Sequence, residues 1–225
     1  MSAHPLGLVM GVWRGDVTLA IERLEGWRKL YPELIIQVRE DGSQSRALIE
    51  ACARLQAGYS TGPRLKLAKS GGAWLEETIR LGLSTKAAWV IRADPDALPL
   101  RQFGPFPQNQ GVLVSPAAGL NGGCLLLERT VLERVHNHIA SDRSRFTGWG
   151  YARYGIFRRP GEDWSADVLA NDDAMLEVLL KECAAPLTPW EELDIRFRPL
   201  FSQTEISHSS AAVIHPVGAL LEQYL

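Results

Sequence analysis

Residues 87–96 read Ala-Ala-Trp-Val-Ile-Arg-Ala-Asp-Pro-Asp. The short apolar run from Ala88 to Ile91 suits a buried strand, and it leads straight into Asp94-Pro95-Asp96. Asp94 and Asp96 are separated by one residue, so in an extended chain both carboxylates point the same way beyond the strand's end. Pro95 biases Asp94 toward that extended form. Two hard oxygen donors at the carboxyl end of a central strand suit a divalent cation that also bridges phosphate oxygens, and ligands of open α/β sheets gather at that edge. Asp-Pro-Asp also suits a plain turn; the buried strand ahead of it favours the metal.

Toward the N-terminus, Leu8, Val9, Met10, Val12 and Trp13 form another apolar run, ended by Arg14-Gly15-Asp16. This reads as a buried strand, a turn and a helix N-cap at Asp16. Val17, Ile21, Leu24 and Tyr31 recur at helical spacing until Pro32 stops the helix. Leu34, Ile35, Ile36 and Val38 form a second strand, and Arg39-Glu40-Asp41-Gly42-Ser43 reads as a loop with turn chemistry. Ser45 can cap a helix carrying Leu48, Ile49, Cys52 and Leu55. Residues 59–63 read as a break, and a third helix follows Gly71-Gly72. Strands alternating with helices predict an α/β fold with a mainly parallel sheet and helices on both faces.

The second half is less regular. Gly111 to Ser115 and Cys124 to Leu127 suit strands, and Thr130 with Glu133 makes a capping box for a helix through Val135. Ser141 to Asp167 shows little periodicity. Asn171 then caps a helix containing Met175, Leu176, Leu179 and Leu180, and a strand-like piece, Ala211 to Ile214, precedes His215. No internal repeat is present.

The 225 residues are 46% hydrophobic and 22% charged, with 20 Gly and 13 Pro, the composition of a folded globular chain. The net charge of −2 lacks the basic excess of proteins that neutralise a phosphate backbone, so nucleic acid is not an expected partner. Leu6 to Trp13 falls far short of the roughly 18 residues of a membrane span, and no basic stretch precedes it, so neither a transmembrane segment nor a signal peptide is expected. Cys52, Cys124 and Cys183 are widely spaced and form no CxxC pair. Reduced, buried thiols in a cytoplasmic protein are the expectation.

The stretch IIQVREDGSQS (35–45), then KSGGAWLEETIRLGLSTKAAWVIRADPDALPL (69–100), resembles the nucleotide-sugar half of GT-A glycosyltransferases, particularly the family 2-like inverting enzymes. GGCLLLERTVLERV (122–135) resembles their acceptor-side strand and helix, and NDDAMLEVLLKECAAPL (171–187) the acidic helix start that carries their catalytic base. The resemblance implies one GT-A, Rossmann-like domain with a nucleotide-sugar-binding half at 1–103 and an acceptor-binding half at 104–225. It implies transfer of a sugar, of hexosyl type, from a nucleotide-diphosphate donor to an acceptor hydroxyl with inversion. Asp41 matches the acidic position that contacts base or ribose, Asp94 and Asp96 the DxD motif, and Asp173 the base. Asp172 stands where a glutamate is usual, which keeps it as an alternative base. The helix after Gly71-Gly72 lacks the Ala-Arg-Asn often found there, which leaves the phosphate and sugar contacts open.

His215 resembles the late histidine that completes the metal shell in several GT-A families, and an imidazole there would favour Mn2+ over Mg2+. A packed strand-end histidine is the other reading, and His208 is a substitute ligand. Asp173 would take the acceptor's proton, although Asp172 and Asp173 also suit a helix N-terminus, whose dipole would lower the carboxylate pKa and weaken it as a base. Lys69 could contact the diphosphate and Trp13 could stack near the base, while a solvated lysine and a packed aromatic are the plain alternatives. Trp149 and Tyr151 lie in a stretch that mixes aromatics with arginines just before the proposed base, which suits an acceptor-binding wall or lid. The competing functions are a nucleotidyltransferase on a related sheet and a non-catalytic nucleotide- or carbohydrate-binding protein. The first normally carries a Gly-rich, basic loop where this chain has Gly-Val-Trp-Arg-Gly-Asp-Val-Thr.

Overall fold

The computed structural model describes residues 5–66, 70–116, 119–143, 172–198 and 209–216. β1 (Leu6–Val12) sends Leu6, Leu8, Met10 and Val12 to one face and Val9 to the other. On the first face they meet Ala20, Leu24 and Trp27 of α1 (Val17–Leu30) and Leu48 and Cys52 of α2 (Arg46–Arg54). The opposite face is covered by α3 (Gly71–Ser84), α4 (Arg129–Ser141) and α5 (Asp172–Glu182), through Leu75, Ile79, Val131 and Met175. Period-two burial in the strand and helical periodicity in its covers give helices on both faces, as expected.

The remaining strands are β2 (Ile35–Asp41), β3 (Gly58–Gly62), β4 (Trp89–Ala93), β5 (Leu98–Pro99), β6 (Val112–Val114), β7 (Cys124–Glu128), β8 (Leu187–Pro189), β9 (Ile195–Arg198) and β10 (Val213–Pro216). A seven-stranded sheet runs β3-β2-β1-β4-β7-β6-β8, and β5-β10-β9 form a small second sheet. β1, β2, β3 and β4 pair in parallel, and β7 runs antiparallel to both β4 and β6. The order 3-2-1-4 places the carboxyl ends of β1 and β4 side by side while their connections leave in opposite directions, the switch point where such sheets open a crevice.

Five local expectations need correction. Arg39, Glu40 and Asp41 are not loop residues: β2 continues through them, and all three are buried. Burial is possible because each charge is partnered. Glu40 accepts from Ser43 Oγ at 2.7 Å, Ser45 N at 2.8 Å and Tyr59 Oη at 2.7 Å. The turn follows at Gly42, whose φ of 81° is left-handed. Residues 59–62 are no break, since β3 pairs along β2 as an edge strand, where small polar residues are tolerated, and the chain leaves the sheet only at Pro63. Asp16 makes no side-chain cap, because a 3-10 turn over Arg14–Asp16 intervenes before α1. Thr130 and Glu133 form no capping box either; α4 starts directly out of β7, and Glu133 pairs with Arg129 Nε at 2.8 Å. Ser45 does cap α2, accepting from Leu48 N. The last strand includes His215 rather than ending before it. Cys52 and Cys124 are buried and Cys183 half-buried, and none is in a disulfide.

Candidate active site

The loops after β1 and β4 enclose a cavity of about 420 Å³, walled by Trp13 and Asp16 from the first, Asp94 and Asp96 from the second, and Asp41, Arg64, Lys66 and Trp74 from neighbouring elements. Gly11 is required at its floor, because a Cβ there would overlap the indole of Trp74. Asp41, at the end of β2, accepts from Arg39 Nη1 at 3.0 Å and from the backbone N–H groups of Leu65 at 2.7 Å and Lys66 at 2.9 Å. That carboxylate fixes the 63–66 loop, which lays the Arg64 guanidinium 5.2 Å from the centre of the Trp13 ring. Lys66 Nζ lies 3.7 Å from Asp94 Oδ1.

Asp94, Asp96 and His215 converge, with one ligand atom from each lying within 4.8 Å of the others. His215 Nε2 is 2.9 Å from Asp96 Oδ1. Yet Asp96 Oδ1 and both ring nitrogens are buried and lack a hydrogen bond among the described residues, so the close approach does not have the directionality of one. Buried polar atoms aimed at a shared point without satisfying each other are what a cation's ligands look like, and this donor set can hold a divalent metal. Burial alone would lower the His215 pKa, but Asp96, then Asp94 and Asp173, raise it above the usual value. Asp16 is also raised, first by burial and then by the charges of Asp96 and Asp94 against Lys66. The 121–123 loop closes on the same point: Asp94 N donates to Gly123 O at 2.9 Å, and a Cβ on Gly123 would overlap His215 Nε2.

The two aspartates at the start of α5 differ sharply. Asp172 is buried; it contacts Arg92 Nη2 and accepts from Trp74 Nε1 at 3.0 Å. Burial pushes its pKa up, but Arg92, Lys66 and the Trp74 indole outweigh that and hold it below the usual aspartate value. Asp173 keeps 35% of its side chain exposed, lies 3.5 Å from Arg92 Nη1 through Oδ1, and packs against Gly122, where a Cβ would overlap that oxygen. Its pKa is raised, by burial first, with Arg92 pulling down and Asp172 pushing up. The expectation that the helix dipole would leave Asp173 a weakened base is therefore corrected: burial and the neighbouring carboxylate make it more basic.

Of the residues singled out from sequence, Asp94, Asp96 and His215 are brought together, Trp13 and Asp41 wall the cavity, and Asp172 and Asp173 stand at the start of α5. Lys69, Trp149, Tyr151, Asn171 and His208 lie outside the described residues. Sequence reasoning missed Lys66, Arg64, Trp74 and Arg92. Arg92 alone carried a signal, as a charged residue inside an otherwise apolar strand; nothing in the pattern set Lys66 apart.

No protein-family model matches the chain, and no curated protein matches it in sequence. Solved structures do. The galactosyltransferase LgtC, in complex with donor and acceptor sugar analogs, superposes with a TM-score of 0.58 at 12% identity over 94% of this chain and 87% of its own. A glycosyltransferase involved in glycosylation of the major capsid of PBCV-1 gives 0.54 at 12% identity over 97% of both chains. The glycosyltransferase GlyE of Streptococcus pneumoniae TIGR4 gives 0.53 at 10% identity over 96% of this chain and 55% of GlyE. No helix among the described residues is long and apolar enough to cross a membrane. With its switch-point cavity and its mainly parallel seven-stranded sheet between two helical layers, the chain has the GT-A glycosyltransferase fold.

Proposed function

We propose that the chain transfers a sugar from a nucleotide-diphosphate donor to an acceptor hydroxyl, with the donor bound at the ends of β1 and β4. The observation that carries this reading is the group Asp94, Asp96 and His215, with both aspartates lining the cavity and the ligand atoms of Asp96 and His215 lacking hydrogen-bond partners among the described residues. A divalent cation bound there supplies Lewis-acid neutralisation of the charge that develops on the leaving diphosphate. The mixed carboxylate and imidazole donors favour Mn2+ over Mg2+.

The chain's own residues do the rest. Lys66, which lines the cavity, faces the diphosphate, and Lys69 is assigned a diphosphate contact from sequence alone. Trp13, 39% exposed beside Arg64, offers its ring to the base. Asp41 has three of about four acceptor directions filled and keeps one for a ribose hydroxyl. Asp173 takes the acceptor's proton as that oxygen attacks the anomeric carbon opposite the leaving group, so configuration inverts. Residues 1–103 form the donor half and 104–225 the acceptor half, where Trp149 and Tyr151 give the acceptor aromatic faces.

The test is a panel of hexosyl nucleotides with Mn2+, read by nucleoside diphosphate release and thermal shift. Release that chelation abolishes and Mn2+ restores is the expected result; full activity of Asp96→Ala in chelator overturns it. Pyrophosphate release from a nucleoside triphosphate and a sugar phosphate would mark a nucleotidyltransferase. Stabilisation by nucleotide without turnover would mark a binding protein.

A further inference from the structure

Arg92 is a cation inside a buried strand, two residues before Asp94, and it reaches no solvent worth the name: 8% of its side chain is exposed. Its guanidinium spans the two carboxylates that begin α5, contacting Asp172 through Nη2 and approaching Asp173 through Nη1. Asp172 is equally buried and is held a second time by the Trp74 indole from α3. Gly122 leaves no room for a side chain between Arg92 Nη1 and Asp173 Oδ1. A buried ion pair of this kind is weak evidence for stability, since apolar residues of similar size often serve as well. It does fix geometry, tying the strand that ends in Asp94 and Asp96 to the helix that presents Asp173.

We infer that Arg92 and Asp172 are positioning residues that hold Asp173 in place against the β4 end, with Asp172 itself taking no part in proton transfer. The inference rests on the reading of Asp173 as the base. Arg92 and Asp172 cancel one another, and the carboxylate one residue further on, with about a third of its side chain exposed, is left to accept the acceptor's proton. Environments that push two neighbouring carboxylates in opposite directions assign them different roles. Among the described residues, the other charged groups that act on Asp173 are Asp94 at the end of β4, Lys66 from the 63–66 loop and His215 in β10.

The experiment is a carboxyl-carbon NMR titration of Asp173 in the wild type, Asp172→Asn, Arg92→Gln and the double variant, with the pH profile of turnover measured alongside. Asp172→Asn keeps an acceptor for Trp74 but removes the negative neighbour, so the Asp173 midpoint should fall by about one pH unit and turnover by about 10-fold. Arg92→Gln removes the positive neighbour, so the midpoint should rise by a similar amount. The double variant, with a neutral pair, should return it close to the wild-type value and also decides the matter if Arg92→Gln does not fold. A midpoint that stays put in Asp172→Asn, or moves the same way in both single variants, overturns the inference and leaves the pair a structural strut. A wild type inactive on every nucleotide sugar would overturn the proposed function without touching the titration, which needs no substrate.

Discussion

Two acidic clusters meet at the carboxyl end of β4, and they dispose of their charge in opposite ways. Asp94 and Asp96 line the cavity with His215 beside them, and Asp96 Oδ1 and both His215 ring nitrogens lack a hydrogen bond among the described residues. Two residues back along the strand, Arg92 closes a pair with Asp172 under the cover of Trp74, and every charge there is met within the protein. Lys66 lies 3.7 Å from Asp94, and a partly exposed contact at that distance is worth little against three carboxylates counting Asp16. The cluster with an excess of carboxylates and unfilled polar atoms is the one suited to a ligand, and the closely paired one holds a neighbour still. The adjacent glycines 122 and 123 serve the two clusters separately: the first admits Asp173 beside Arg92, the second admits His215.

The comparison breaks most visibly at Asp173. Asp173→Asn keeps the size and much of the capping ability at the start of α5, while removing the proton acceptor. Turnover should fall by roughly 100-fold or more, with donor affinity within a few-fold of wild type. The loss should far exceed that of Asp172→Asn, and a larger loss in Asp172→Asn would move the base to the buried residue. Separate measurements of nucleotide affinity and single-turnover rate decide between these.

The paired glycines sharpen it. Neither has a positive φ, so Ala is acceptable to the backbone and any effect comes from the added Cβ. Gly123→Ala should displace His215 and weaken Mn2+ binding, in the presence of a nucleoside diphosphate, by about 10- to 100-fold. Gly122→Ala should leave Mn2+ binding within a few-fold and lower turnover instead, by about 10-fold. Mn2+ titration followed by electron paramagnetic resonance reads the first effect, and a steady-state assay the second. Equal loss of metal by both variants would mean that the loop responds as one body and that the clusters are not independent.

The same contrast marks what could be read from sequence. β1, α1 and β4 follow from apolar runs and periodicity, α3 from the break at Gly71-Gly72, and Asp94 and Asp96 stand out because a buried strand feeds them. The charged end of β2 does not follow, since Arg39, Glu40 and Asp41 look like a loop until their partners are known, and Asp41's lie 24 and 25 positions away. Choosing between Asp172 and Asp173 was beyond any local pattern: both suit a helix start, and the arginine that distinguishes them is 80 positions upstream. β5, β8, β9 and β10 have two to four residues each, too few for a period to show, and they are strands only through pairing with distant chain. His215 was legible as the third ligand beside Asp94 and Asp96 through the family resemblance, not through any local pattern.

Trp13 provides the smallest test, on a wall of the same cavity. Its ring is 39% exposed and lies near the guanidinium groups of Arg14, at 5.5 Å, and Arg64, at 5.2 Å. An aromatic held in that way costs little to fold around, because so much of it stays in water, and its free surface matches the flat face of a base. Trp13→Leu should therefore weaken nucleoside diphosphate binding by about 1 kcal/mol, roughly fivefold, while Mn2+ binding and Tm change little. Trp13→Phe should recover most of the affinity, since a smaller ring still stacks. Calorimetry of nucleotide binding with and without Mn2+ separates this wall from the metal cluster: the loss should be the same size in both conditions. A fall in Tm with unchanged nucleotide affinity would show instead that Trp13 is packing for the turn at Gly15, where a Cβ would press against its ring.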